Sequence, residues 1–296
     1  MKTFALLVLG LGFGASLAFA TEDVVYQKEI EAWRAQRVAQ LTTPDGWLTL
    51  IGLHFLKDGD NTVGSAKDND VVLARGPAHL GKVTLAENGR VSIVLAADAD
   101  ARIDGRSVMM GELFWSSGRP TRVSAGTVSF FVIDRSGKKA LRVKDSASEG
   151  RTHFLGLDYF PIDPAWRVEA QWVEFDEPRK IPITNMLGQV QPAVVHGKAV
   201  FEHEGQKIEL LPIDEGPGEP LFFVISDVTS GKETYGAARF LYADAPVDGK
   251  VVLDFNRTQN PPCAFTPFAT CPLPPKENRL TFAVNAGEKD YRGEHE

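Results

Sequence analysis

The chain has 296 residues, 43% hydrophobic and 24% charged, with 32 basic against 39 acidic side chains and a net charge of −7. That length accommodates about two domains. The balance excludes a disordered or fibrous chain, and the lack of a basic excess argues against nucleic acid as a partner.

The amino terminus carries one charge, Lys2, and then a 16-residue apolar run from Phe4 to Phe19. The run is shorter than the ~20 residues of a membrane span. Ala18-Phe19-Ala20 supplies the small-x-small pattern of a signal-peptidase site, and Thr21-Glu22-Asp23 turns polar at once. Residues 1–20 are therefore predicted to be a signal peptide cut after Ala20. The expected product is periplasmic or secreted, with no membrane span in the mature chain. An uncleaved anchor is the alternative.

Residues 21–45 carry the one long predicted helix, Val24–Leu41. Tyr26, Ile30, Trp33, Val38 and Leu41 fall on one face at helical spacing. Thr42-Thr43-Pro44 stops it. Such a helix serves either as a packing strut or as an exposed interaction helix.

Residues 46–147 read as short, evenly spaced strands. These are Leu48–Leu53, Asn61–Gly64, Val71–Leu73, Gly81–Leu85, Val91–Leu95, Ala101–Ile103, Gly111–Trp115, Thr127–Ile133 and Ala140–Lys144. Asn88-Gly89 and Asp104-Gly105 are hairpin signals, because both central residues tolerate positive φ. Strands this close together predict a sandwich or small barrel.

Residues 148–296 form a second β region, reached through the small, polar stretch 145–150. Trp166, Val168, Ala170 and Trp172 alternate with polar residues, as in a half-buried strand. Further strands are expected at Ala193–Val195, Ala199–His203, Lys207–Pro212, Leu221–Ser226, Tyr235–Tyr242, Val251–Phe255 and Leu280–Val284. His196-Gly197 and Glu204-Gly205 are read as turns. With 27 glycines, 18 prolines and 18 phenylalanines, the fold class is mostly β. An N-terminal helix precedes a sandwich, and a second antiparallel β domain or barrel follows.

Prolines crowd the segment 260–275, which must be an ordered loop, since proline cannot join a ladder. It suits a lid or a brace. Its cysteines, Cys263 and Cys271, are expected to form a disulfide in an exported protein. Free thiols and metal or redox chemistry are the alternatives. No metal or cofactor is expected, since the spacing matches no zinc pattern.

Polar residues concentrate in Asp227, Glu233, Tyr235 and Arg239, and again in Asp254, Asn256, Arg257 and Asn260. If Tyr235–Tyr242 pairs with Val251–Phe255, Tyr235 shares a face with Arg239, whose nearest candidate carboxylate is then Asp254, with Glu233 and Asp227 as the alternatives. That set either binds a carboxylate or sugar hydroxyls, or forms a buried structural ion pair. No Gly-x-Ser-x-Gly, His-Glu-x-x-His or phosphate loop is present, so no catalytic residue is assigned.

Two resemblances add to this reading. Asn61-Thr62-Val63-Gly64, Asn69-Asp70-Val71-Val72-Leu73 and Ile103-Asp104-Gly105 resemble a forkhead-associated (FHA) domain, which implies an FHA-like sandwich. That family grips phosphothreonine with an arginine where Ser65 stands and with a serine missing from Arg75-Gly76-Pro77-Ala78-His79. The departure removes the guanidinium fork a phosphate needs. The second resemblance spans nearly the whole mature chain. Asp254-Phe255-Asn256-Arg257 through Asn260-Pro261-Pro262-Cys263, then Glu277-Asn278-Arg279-Leu280 and Ala286-Gly287-Glu288, resemble domain of unknown function 1684. So do Asp45-Gly46-Trp47-Leu48 and the block Asp227 to Arg239. Thr258-Gln259 departs from that pattern, where Ala-Tyr is commoner. The expected role is envelope binding or accessory work on a small polar or peptide ligand, or on an envelope protein. The alternative is a hydrolase using Tyr235, Arg239 and Asp254.

Overall fold

The computed structural model describes residues 13–115, 119–135 and 137–293. Most of the expected signal segment, residues 1–12, lies outside them. The described chain opens on helix α1 (Phe13–Leu41), longer than the predicted span and continuous through the expected cut after Ala20. It ends where predicted. The Thr42 amide makes the last i→i−4 bond, to the Val38 carbonyl, which its hydroxyl also meets, and the Thr43 amide tightens to the Gln40 carbonyl. Ile30 and Leu41 are buried, and Tyr26, Trp33 and Val38 are half-buried. The helix is thus a docked strut. Among the described residues no helix is long and apolar enough to cross a membrane.

Ten strands follow: β1 (Leu50–Phe55), β2 (Gly59–Gly64), β3 (Val71–Val72), β4 (Gly81–Leu85), β5 (Val91–Leu95), β6 (Arg102–Ile103), β7 (Met110–Glu112), β8 (Val123–Ala125), β9 (Val128–Arg135) and β10 (Lys138–Asp145). They form two five-stranded sheets, ordered β1-β10-β9-β8-β6 and β3-β2-β4-β5-β7. One apolar core lies between them, with Val63, Val83 and Ile93 from one sheet against Phe130, Leu141 and Val143 from the other. Strand alternation turns every second residue of β10 away from that core. Arg142, opposite Phe131 in the ladder, therefore faces the rest of the molecule.

The second region contains β11 (Arg167–Thr184), β12 (Val190–His203), β13 (Gln206–Leu210), β14 (Leu221–Ile225), β15 (Arg239–Ala243) and β16 (Lys250–Asp254). A four-stranded sheet β13-β12-β11-β16 and the pair β14-β15 make a half-barrel. They enclose Phe201, Phe223, Leu241, Leu253 and Phe255.

Several local expectations need correction. β11 runs far beyond Trp172, and His196-Gly197 is no turn but lies inside β12. The Trp172 ring passes so close over Gly197 that a Cβ would sit 2.5 Å from it. Tyr235 precedes its expected strand, which begins only at Arg239, and Leu280–Val284 is not a strand. The expected pairing of the Tyr235 and Val251 strands does not form. β15 pairs with β14 and β16 with β11. The Trp166-to-Trp172 alternation buries one face of β11, and β16 presents Val251 and Leu253 to the same core.

The two β regions meet at a seam. Leu50 of β1 packs with Phe222 and Val224 of β14, Phe240 of β15, and Cys263, Ala269 and Cys271 of the proline loop. Leu41 of α1 and Leu48 pack with Ala264 and Phe265. The loop therefore braces one half against the other. Thr266 donates to the Leu50 carbonyl at 3.0 Å, and the Leu273 amide donates to Thr184 at 2.8 Å.

The disulfide expectation is corrected as well. Cys263 and Cys271 are buried free thiols, and the Cys263 amide donates to the Cys271 sulfur at 3.3 Å. Prolines, backbone hydrogen bonds and burial hold this loop without a covalent link.

Candidate functional site

Arg239 is the largest fully buried polar side chain, 1% exposed. One terminal nitrogen donates to Asp227 Oδ2 at 2.6 Å and to the Val284 carbonyl at 2.9 Å. The other donates to the Ala286 carbonyl at 2.5 Å and to Thr258 Oγ1 at 3.3 Å. Its carboxylate partner is thus Asp227, not Asp254. Asp227 is itself fixed at Oδ1 by the Thr229 amide and hydroxyl, at 2.7 and 2.6 Å. A guanidinium removed from water needs such saturation, and this one has it at both ends of its fork.

The remaining predicted residues separate into other contacts. Asp254 accepts from the Tyr26 hydroxyl of α1 at 2.8 Å and stands 3.2 Å from Arg257. The Asn256 side-chain amide donates to Tyr26 Oη and to the Asp163 carbonyl, at 2.9 and 2.8 Å. The Tyr235 hydroxyl donates to the Cys263 carbonyl at 3.0 Å. Burial pushes that phenol's pKa up. Glu233 is exposed, with Lys289 4.0 Å away. The Asn260 amide donates to Glu288 Oε2 at 2.7 Å, and its side chain to the Lys289 carbonyl at 2.7 Å. Tyr235, Arg239 and Asp254 do not converge on one point.

Glu288 is a buried carboxylate beside this set that sequence reasoning missed, although it closes the Ala286-Gly287-Glu288 motif. It is wholly buried, and Arg37 of α1 donates to it at 2.9 Å. Arg37 also donates to the Asn260 carbonyl at 2.9 Å. Gly287 has φ 78°, and a Cβ there would lie 1.9 Å from Thr258 Oγ1. The glycine is what allows the tail to pass so close.

The seam encloses a cavity of about 310 Å³, walled by Trp47, Phe222, Phe240, Tyr242 and Phe265, with Arg37, Arg135 and Arg142 reaching it. Arg37 is neutralised by Glu288. Arg135 donates to Thr270 Oγ1 at 2.7 Å and to its neighbour's carbonyl at 2.9 Å. Arg142 is 8% exposed and stands over the Trp47 ring at 5.0 Å. Its pKa is pushed down to about 10 by burial first and by Arg135 second. It keeps its charge at neutral pH. Glu215, also in the cavity wall, is pushed up by its burial and by Glu219.

A second hollow of about 380 Å³ lies beside it, with Arg75, Glu149, His153 and Tyr291 in its lining. A groove of about 930 Å³ follows β16 past Asp254 and Arg257. The seam cavity escaped the sequence reading because its cations come from α1, β9 and β10, more than a hundred residues from the proline loop. Nothing local links them.

The buried pair predicts a stability contrast. Arg239→Met leaves Asp227 buried without its cation, and should cost about 3–5 kcal/mol in urea unfolding. Asp254→Asn, whose cation partner Arg257 is exposed to solvent, should cost only about 1–2 kcal/mol. Equal losses would refute the assignment.

No curated protein matches the chain. The solution structure of an uncharacterized protein of Haloarcula marismortui is 31% identical over 47% of this chain and 78% of that one, with a TM-score of 0.40. A crystal structure of Rad53 residues 1–466 with AMP-PNP covers 75% of this chain and 51% of that one. At 10% identity and a TM-score of 0.15 it carries no argument. Residues 152–289 match the family described as "Protein of unknown function (DUF1684)". The part of the chain from 152 to 289 therefore belongs to the DUF1684 family, and the match does not reach the amino-terminal sandwich.

Proposed function

We propose that this chain is a binding or accessory protein that holds a small polar ligand in the seam cavity. The observation that carries this reading is the contrast between two polar sets. The Tyr235, Arg239 and Asp254 set is tied to protein partners at three separate places. The seam cavity instead gathers arginine donors and aromatic walls around open space. Its volume is at the low end for small-molecule sites and favours a metabolite over a peptide. The hydrolase alternative has no such observation in its favour.

A thermal-shift screen of metabolites and glycans on the mature protein tests this reading. Hits should disappear in Gln259→Trp, which fills the cavity from its wall. Hits that survive that substitution would move the site elsewhere.

Export belongs to the same reading. Among the described residues the side-chain hydrogen bonds that dock α1 begin at Tyr26, on the carboxyl side of a cut after Ala20. Amino-terminal sequencing of the secreted or periplasmic product should begin at Thr21, and a product retaining Met1 would refute it.

We also read the amino-terminal sandwich as FHA-like in shape without phosphopeptide binding. Asp70 accepts from the Thr62 amide and hydroxyl, at 3.0 and 2.9 Å, which fixes the Asn-Asp turn. Ser65 donates to the Gly76 carbonyl at 2.9 Å and supplies no cation where that family places an arginine. Titration with a phosphothreonine peptide library should give nothing tighter than millimolar affinity. A micromolar, phosphate-dependent peptide would overturn this.

A further inference from the structure

Arg142 differs from the other strongly buried arginines. Arg239 has Asp227, and Arg37 has Glu288. The Arg142 guanidinium has no hydrogen bond and no ion pair among the described residues; its Nε is sealed from solvent without an acceptor, as that of Arg239 is, but its terminal nitrogens lack partners as well. A buried guanidinium in that state is costly, since its hydration is lost and nothing replaces it. Arg135 adds to the cost, because it acts on Arg142 with a charge of the same sign. Glu215 shares the cavity wall but forms no ion pair with either arginine. The Trp47 face, at 5.0 Å, offers only a partial substitute for an anion.

The surroundings are arranged for something to arrive. Arg135 is steadied by Thr270 through its Nε and by a backbone carbonyl through one terminal nitrogen. Its other terminal nitrogen has no hydrogen-bond partner among the described residues. Phe222, Phe240 and Tyr242 form an apolar wall, with Phe222 stacked on Tyr242 at 4.9 Å between centroids and Phe240 set edge-on to Phe222 at 89°. A fork of donors at one end and apolar rings along the side recognise an apolar body bearing one anionic group.

We propose that the seam cavity binds a small organic anion, a carboxylate or phosphate ester on an aromatic or apolar body, with Arg142 as the residue that grips the anionic group. The proposal rests on the seam cavity being the ligand site and adds the chemistry of the ligand.

The test uses the full mature chain and four probes: benzoate, phenyl phosphate, inorganic phosphate and neutral benzamide. Calorimetric titration should show binding of benzoate, phenyl phosphate or both, with benzamide and inorganic phosphate weaker. The stronger of the two organic anions identifies the head group. Arg142→Met should weaken that binding roughly 10- to 100-fold, the worth of hydrogen bonds to a charged group. Arg142→Lys keeps the charge, loses the fork, and should fall between. Without ligand, Arg142→Met should melt no lower than the wild type, because it removes an unpartnered buried charge. A structural arginine would give a lower melting temperature instead, and that result overturns the proposal. So does failure of both organic anions to bind, or binding that Arg142→Met leaves intact. If benzamide binds as tightly as benzoate and Gln259→Trp abolishes both, the anion assignment fails while the seam cavity stands as the ligand site.

Discussion

A guanidinium sealed from water must give its donors to protein acceptors, and Arg239 does so by gripping a segment that has no strand of its own. The carbonyls of Val284 and Ala286 and the Asp227 carboxylate converge on its terminal nitrogens. The segment after Leu280 would otherwise have no ladder to hold it. Arg239 stands at the first position of β15, so the sheet and the tail are locked by one side chain.

The position of that tail fixes the helix and the proline loop in turn. Two residues past Ala286, Glu288 is buried beneath α1 and receives both Arg37 and the Asn260 amide. One carboxylate therefore joins the helix, the tail and the start of the proline loop. The loop packs Cys263, Ala269 and Cys271 on Leu50 of the sandwich. The sandwich contributes the outer side of β9 and β10, the half-barrel contributes β14, β15 and the loop, and the seam cavity is the volume they fail to fill.

The same chemistry gives the buried arginines opposite roles. Arg239 and Arg37 each have a carboxylate partner and act as struts. Arg142 faces aromatic rings and a like charge. Desolvation acts on all of them, and only the acceptor supply differs. That difference separates a brace from a binding group more sharply than burial or residue type can.

Helical spacing and a double-threonine stop made the end of α1 legible, and hairpin signals such as Asn88-Gly89 made the sandwich strands legible, since both depend on neighbours along the chain. The polar richness of Asp227, Arg239, Asp254 and Asn260 was legible too, though not its pairing. Arg239 took Asp227 because β15 joined β14 rather than β16, a choice made by competing apolar faces and not by local propensity. The free state of Cys263 and Cys271 and the role of Glu288 were equally beyond local reading. Charge and periodicity along a chain determine which segments are helix, strand or turn. Which cation meets a carboxylate and which is left facing a cavity is decided only when distant strands choose partners, because an ion pair is a property of distance in space, and only the packed structure sets that distance.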